Sequence, residues 1–227
     1  MDSGSIKRIL KNNWLFNHLT SDELDDLMRK STTVNYRKRE TIVKKGEFIS
    51  HLILLLNGFV KIEVDEGDKN FIFDIIQSVN YIGLPLVLSS DKYPFSAVSI
   101  TDTELQYIPL ELVRRIIDTN SKIALSAIKY GNDSFVHPLF EKLKSSSLNN
   151  IRGRLAKLLL HFSLNIFNSK SFALLIGRNE IAQMIGFSRE NVIRTLSEFN
   201  AEGIIKINGK SIEILDSIKL EDLAKYS

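Results

Sequence analysis

Asn179-Glu180-Ile181-Ala182-Gln183-Met184-Ile185-Gly186-Phe187-Ser188-Arg189-Glu190-Asn191-Val192-Ile193-Arg194-Thr195-Leu196-Ser197 predicts two short helices joined by a tight turn. Ile181, Ala182 and Ile185 recur at helical spacing, and Gly186 follows as a stop. Ser188 suits the N-cap of the second helix. There Val192, Leu196 and Phe199 fall at i, i+4 and i+7, a stripe that one helix face buries. The spacing Ala182-x3-Gly186-x5-Val192 meets the needs of a helix-turn-helix: a small residue for close approach, a glycine for the turn, an apolar residue to lock the second helix onto the first.

The face turned away from that stripe carries Glu190, Ile193, Arg194 and Ser197, with Arg189 in the first turn. Arginine reaches guanine O6 and N7 in a fork, glutamate accepts from cytosine N4, and an aliphatic side chain touches a thymine methyl. The bland alternative is a helix pair in a core, with these charges as a solvated face. Gly203 to Ile214 decides between the two. Two β-branched runs flank Asn208-Gly209, a hairpin signal, and a hairpin after a helix-turn-helix makes a winged helix. Lys206 and Lys210 near its tip suit phosphates, which position a protein without reading sequence.

Arg178-Asn179-Glu180-Ile181-Ala182 with Gly186-Phe187-Ser188-Arg189-Glu190-Asn191-Val192-Ile193-Arg194 resembles the DNA-binding signature of the Crp/Fnr family of bacterial transcription regulators. Ile151-Arg152-Gly153-Arg154-Leu155-Ala156-Lys157-Leu158-Leu159 resembles the segment that opens that family's C-terminal domain. The resemblance implies an α+β chain: an N-terminal antiparallel β-roll of the cyclic-nucleotide-binding, double-stranded barrel type, a long dimerisation helix, and a C-terminal winged helix-turn-helix. It implies a sequence-specific regulator that is a homodimer on palindromic double-stranded DNA, gated by an effector and working with RNA polymerase. The DNA-binding set is then Arg178, Ser188, Arg189, Glu190, Ile193, Arg194, Ser197, Lys206 and Lys210.

At 227 residues the chain holds two modest domains, and 44% hydrophobic with 25% charged residues is ordinary for a globular protein. The expected division is a sensor domain over 1–118 with N-terminal helices, a dimerisation helix and linker over 119–148, and a DNA-binding domain over 149–227. No stretch is long and apolar enough to span a membrane or to act as a signal peptide, so the expected location is the cytoplasm. The absence of cysteine excludes disulfides, thiolate metal sites and cysteine-ligated iron–sulfur clusters. Net charge is only +3, but from Ile151 to Lys210 nine basic residues face four acidic ones, an excess where the motif sits.

Thr20-Ser21-Asp22-Glu23 reads as a capping box, followed by the apolar face Leu24, Leu27 and Met28; Trp14-Leu15-Phe16 is expected beneath the following domain. From Ser31 to Ile108 short alternating or continuous apolar runs separated by glycine turns predict a small antiparallel β domain. Gly46, Gly58 and Gly83 match glycines of the family's β-roll. A short helix over 110–118 and a long one over 121–146 follow. In the long helix Leu125, Ile128, Asn132, Phe135, Leu139 and Lys142 alternate at steps of three and four, a coiled-coil seam, the alternative being a face packed on its own domain. Pro138 should kink this helix or break a backbone bond near Ser134. Residues 145–150 read as a linker.

In the family's cyclic-AMP binders a glutamate holds the ribose and an arginine the cyclic phosphate. Here Leu84 and Phe95 stand at those places, in Gly83-Leu84-Pro85 and Phe95-Ser96-Ala97. A buried phosphate without its arginine is left largely uncompensated, so cyclic AMP is disfavoured. The implied effector pocket is lined by Leu84, Pro85, Val87, Phe95, Ala97, His137 and Pro138, which suits an apolar or aromatic small molecule or haem, or a pocket filled by its own side chains. Of the four histidines, His51 and His137 come nearest to haem ligands, although structural or surface roles for all four fit better. The rival to a DNA-binding regulator is a ligand-binding module acting through protein–protein contacts. No paired carboxylates, nucleophile–base set or phosphate loop marks an enzyme, so no catalytic and no metal residues are assigned.

Overall fold

The computed structural model describes residues 1–67, 69–87, 89–146 and 150–226. The middle of the expected linker, 147–149, lies outside them, as do the side chains of Val87 and Lys142. The chain forms two compact units, Met1–Lys69 with Phe73–Pro138, and Asn70–Ile72 with Leu139–Ser227.

The first unit opens with helices α1 (Ser3–Asn12) and α2 (Ser21–Lys30). The capping box forms as read: Glu23 accepts from the Thr20 amide at 2.8 Å, and Thr20 Oγ1 accepts from the Glu23 amide at 3.3 Å. Between the helices Leu15 and Phe16 are buried, and Trp14 stacks at 4.1 Å on Tyr130. Strands β1 (Thr32–Tyr36), β2 (Thr41–Val43), β3 (His51–Asn57), β4 (Phe59–Glu66), β5 (Lys69–Gln77) and β6 (Asn80–Ile82) follow. After the short helix α3 (Leu84–Val87) come β7 (Ser96–Ser99) and β8 (Thr103–Pro109). They form two four-stranded sheets in the orders β1-β8-β3-β6 and β2-β7-β4-β5, with the registered pairs antiparallel.

The continuous apolar run Leu52–Leu56 is buried at every residue. Successive strand side chains point to opposite faces, so both faces of β3 must be covered. One core cluster supplies both covers, joining Val60, Ile62 and Ala97 of the other sheet with Ile6, Leu10, Leu24 and Leu27 of the N-terminal helices. Gly58 turns β3 into β4 at φ +97°, and a Cβ there would stand 2.6 Å from the Asp102 carbonyl oxygen, so no side chain fits. Helix α4 (Leu110–Thr119) closes this part of the unit.

The central helix begins with α5 (Ser121–Gly131), N-capped by Asn120, whose Oδ1 accepts from the Ile123 amide at 3.3 Å. Ile123 and Ala127 are buried, whereas Leu125 and Ile128 are 67% and 62% exposed in the single chain. A π-helical turn, Asn132–Val136, then leads into α6 (His137–Ser146). Pro138 has no amide for the Ser134 carbonyl, so that one backbone bond is lost while the helix runs on. The ladder widens just before the proline, and the His137 amide reaches back five residues to the Asn132 carbonyl. Phe135 is 40% exposed and its ring lies 6.1 Å from that of Phe73.

The second unit contains α7 (Ile151–His161), a second π turn (Phe162–Ile166), strand β9 (Ser171–Ala173), helices α8 (Arg178–Ile185) and α9 (Arg189–Ala201), strands β10 (Ile205–Asn208) and β11 (Ser211–Ile214), and α10 (Ser217–Tyr226). Its sheet has the order β10-β11-β9 and is antiparallel. Leu155, Leu159, Phe162, Ile181, Val192, Leu196, Phe199, Ile212 and Leu220 are among its buried side chains.

Candidate nucleic-acid interface

Helices α8 and α9 are set by their own local chemistry. Gly186 takes φ +71°, and its amide donates to the Ala182 carbonyl at 2.9 Å, ending α8 in the left-handed conformation expected of a glycine stop. At the other end the Glu180 carboxylate accepts from the Gly177 amide at 2.9 Å; glycine has no side chain to return the bond, so only half a capping box is present. Ser188 caps α9 by accepting from the Asn191 amide at 3.2 Å. Val192, Thr195, Leu196 and Phe199 are buried.

Arg154 of α7 holds the turn from outside. Its guanidinium donates to the Ile185 carbonyl at 2.9 Å and lies 5.3 Å from the centre of the Phe187 ring. A Cβ on Gly186 would stand 3.2 Å from that guanidinium. Gly186→Ala should therefore combine left-handed strain with a displaced cap and destabilise the second unit by about 1–2 kcal/mol. A thermal melt checks this, and an unchanged midpoint would show that the turn tolerates a side chain.

The surface that remains faces solvent. Arg189, Glu190, Ile193, Arg194 and Ser197 are all exposed. Arg189 and Glu190 have no side-chain partner among the described residues. Arg194 donates to Asn191 Oδ1 at 3.1 Å and lies 3.8 Å from Glu198, loose intrahelical contacts for a side chain 68% exposed. Ser197 donates its hydroxyl to the Ile193 carbonyl at 3.0 Å. Arg178 opens α8 half-buried with no carboxylate partner among the described residues, and burial alone holds its guanidinium below the usual arginine range. An anion beside it would relieve that desolvation.

Not every cation of the local excess belongs to this surface. Arg152 pairs with Glu198 at 3.2 Å and Glu202 at 2.9 Å, and its guanidinium lies 5.0 Å from the centre of the Phe199 ring. Glu202, with Arg152 and Lys219 beside it, is held below the usual carboxylate range. Charge counting in sequence treats Arg152 and Arg154 like Arg189, and nothing in their spacing signals that they are engaged inside the domain.

The wing follows directly, and the Asn200 side chain accepts from the Ile207 amide at 2.9 Å, tying α9 to β10. Asn208 pairs with Ser211, so the two-residue loop is Gly209-Lys210 and not Asn208-Gly209. Gly209 has φ +59° in the first loop position, the glycine-first pattern of a type II′ hairpin. The reason is the burial of Ile205, Ile212 and Ile214, which fixes the register one residue on from the sequence expectation. Lys210 thus stands in the turn itself, and Lys206 is exposed on β10.

Residues 153–223 match the Crp-like helix-turn-helix domain, and residues 33–120 match the cyclic nucleotide-binding domain. The transcriptional activator protein FnrA of Stutzerimonas stutzeri is 26% identical over 211 residues, covering 89% of this chain and 84% of that protein. The CRP-like cAMP-activated global transcriptional regulator of Mycobacterium tuberculosis is 24% identical over 230 residues, covering 96% and 99%. The chain belongs to the Crp/Fnr family. It is a DNA-binding transcription regulator with a domain of the cyclic-nucleotide-binding fold, and not an enzyme. The same fold is seen in FixK2 from Bradyrhizobium japonicum, with TM-score 0.79, 20% identity and coverage of 87% of this chain and 98% of that one. It is also seen in the c-di-GMP-responsive global regulator CLP of Xanthomonas campestris, with TM-score 0.71, 20% identity and coverage of 86% and 99%.

The residues that the resemblance sets at the family's nucleotide positions are apolar and largely enclosed. Leu84 opens α3 and, with Ala97 of β7, belongs to the core at 1% and 0% exposure. The half-buried Phe95 ring has its Cζ 3.2 Å from where a Cβ on Gly83 would stand, and lies 5.7 Å from Tyr93. Pro85 is half-buried, its Cγ 3.9 Å from where a Cβ on Gly131 would stand. Pro138 is half-buried and His137 is exposed. His51, on β3, shares a 2.9 Å hydrogen bond through Nδ1 with Ser50 and packs edge-on against Tyr107.

Proposed function

We propose that this Crp/Fnr regulator acts in the cytoplasm as a homodimer that reads a palindromic site, gated by an apolar effector in the β-roll, and communicates with RNA polymerase. The observation that carries the DNA reading is the exposed pair Arg189 and Glu190, without side-chain partners among the described residues, on a helix whose opposite face is buried. Arg194, Ile193 and Ser197 extend that face, while Arg178, Lys206 and Lys210 serve phosphates and Ser188 presents the helix N-terminus. For the dimer the support is the exposed apolar row of the central helix, led by Leu125 and Ile128, since a two-fold site requires two reading helices.

Fluorescence anisotropy on genomic fragments over a salt series tests the binding. Affinity should fall steeply with salt, and Lys206→Ala or Lys210→Ala should weaken all sequences alike and flatten the slope by roughly one unit. Salt-independent association, or none, would favour a module working through protein contacts.

An apolar effector is supported by Leu84 and Phe95 at the places where cyclic-AMP binders carry glutamate and arginine. Calorimetry with cyclic AMP should give no saturable heat, and a saturable isotherm would end the apolar reading.

A further inference from the structure

The π turn ahead of Pro138 changes the arithmetic of the central helix. Counted as a continuous α-helix from Leu125 and Ile128, the seam runs through Asn132, Phe135, Leu139 and Lys142. A π turn accommodates one additional residue, and beyond it every position on a given face moves on by one, a rotation of about 100°. The exposure pattern follows the shifted count. Phe140 and Leu143 are 59% and 57% exposed, whereas Leu139 is half-buried. Inside the turn Phe135 and Val136 are both exposed, at 40% and 37%, as the hand-over between the two counts requires.

Pro138 stands just after the turn. It has no amide to donate to the Ser134 carbonyl, and its ring crowds that carbonyl, while His137 before it bonds to Asn132. We propose that Pro138 and the π turn form a one-residue register shift in the dimerisation helix, which makes Phe140 and Leu143, and not Leu139 and Lys142, the continuation of the Leu125–Ile128 row. The inference rests on the homodimer reading and adds to it which residues meet across the two-fold axis. A helix without the shift would present Leu139 and a lysine at the seam.

The chain's lack of cysteine makes the test direct. Single cysteines are placed in the full-length protein at Leu125, Ile128, Leu139, Phe140, Lys142 and Leu143, and each variant is oxidised with copper–phenanthroline. In a parallel pair of helices the seam positions lie opposite their own copies and cross-link most readily. Disulfide dimers are expected at 125, 128, 140 and 143, with little at 139 and 142, and Pro138→Ala should move the downstream cross-links back to 139 and 142. Cross-links at 125, 128, 139 and 142 in the parent chain would leave the dimer standing and overturn the register shift. An unchanged pattern in Pro138→Ala would overturn the role given to the proline. A chain that sediments as a monomer and cross-links nowhere would overturn both the shift and the dimer reading beneath it.

Discussion

Arg189→Ala should cost about 1–3 kcal/mol at a cognate site and relax preference at one base pair, because a forked arginine–guanine contact is worth that much discrimination. The fold itself should be indifferent. Arg189 is exposed and has no partner among the described residues, so its removal leaves no buried group unsatisfied. Arg194→Ala should behave in the same way at a second base pair, giving up only the weak contacts with Asn191 and Glu198. Arg152→Ala provides the contrast. It takes from Glu198 and Glu202 the cation they share, leaving them Arg194 at 3.8 Å and Lys219 at 3.3 Å, and strips a ring of its cation, so its effect should appear first in the melting temperature. Anisotropy on a cognate duplex and its single-base variants separates these outcomes. Arginine variants that retained full sequence preference would mean that another face of the domain reads DNA.

Ile128→Glu should convert the protein to a monomer. At 62% exposure in the single chain the glutamate is solvated and the fold is kept, whereas in the dimer it would bring two carboxylates together on a dry seam. Each buried unpaired charge costs on the order of several kcal/mol, more than a single seam contact returns. Sedimentation velocity should show the monomer, and affinity for a two-half-site palindrome should collapse while the circular dichroism spectrum is unchanged. A variant that stays dimeric would place the interface on another surface.

The helix-turn-helix was legible in the sequence because every signal that makes it is local. Gly186 ends one helix by its own φ, Ser188 caps the next through an amide three residues on, and Val192, Leu196 and Phe199 mark the buried face by spacing alone. The capping box at Thr20 was legible for the same reason. Sequence also determined that cysteine chemistry has no place here.

Tertiary structure decided whatever depends on a partner distant in the chain. The wing turn moved one residue, to Gly209-Lys210, because register is set by which isoleucines the domain buries and not by the most turn-prone dipeptide. Arg152 and Arg154 left the basic surface because Glu198, Glu202, Ile185 and Phe187 lie 31 or more residues away in the chain and close in space. Strand β6 and helix α3 are too short to show a period, being 3 and 4 residues long. Pro138 announced a disturbance in the central helix, yet a proline fixes only its own φ and a missing donor. Whether the chain then breaks, kinks or widens into a π turn depends on the packing on either side, and that choice determines which side chains the helix presents to solvent.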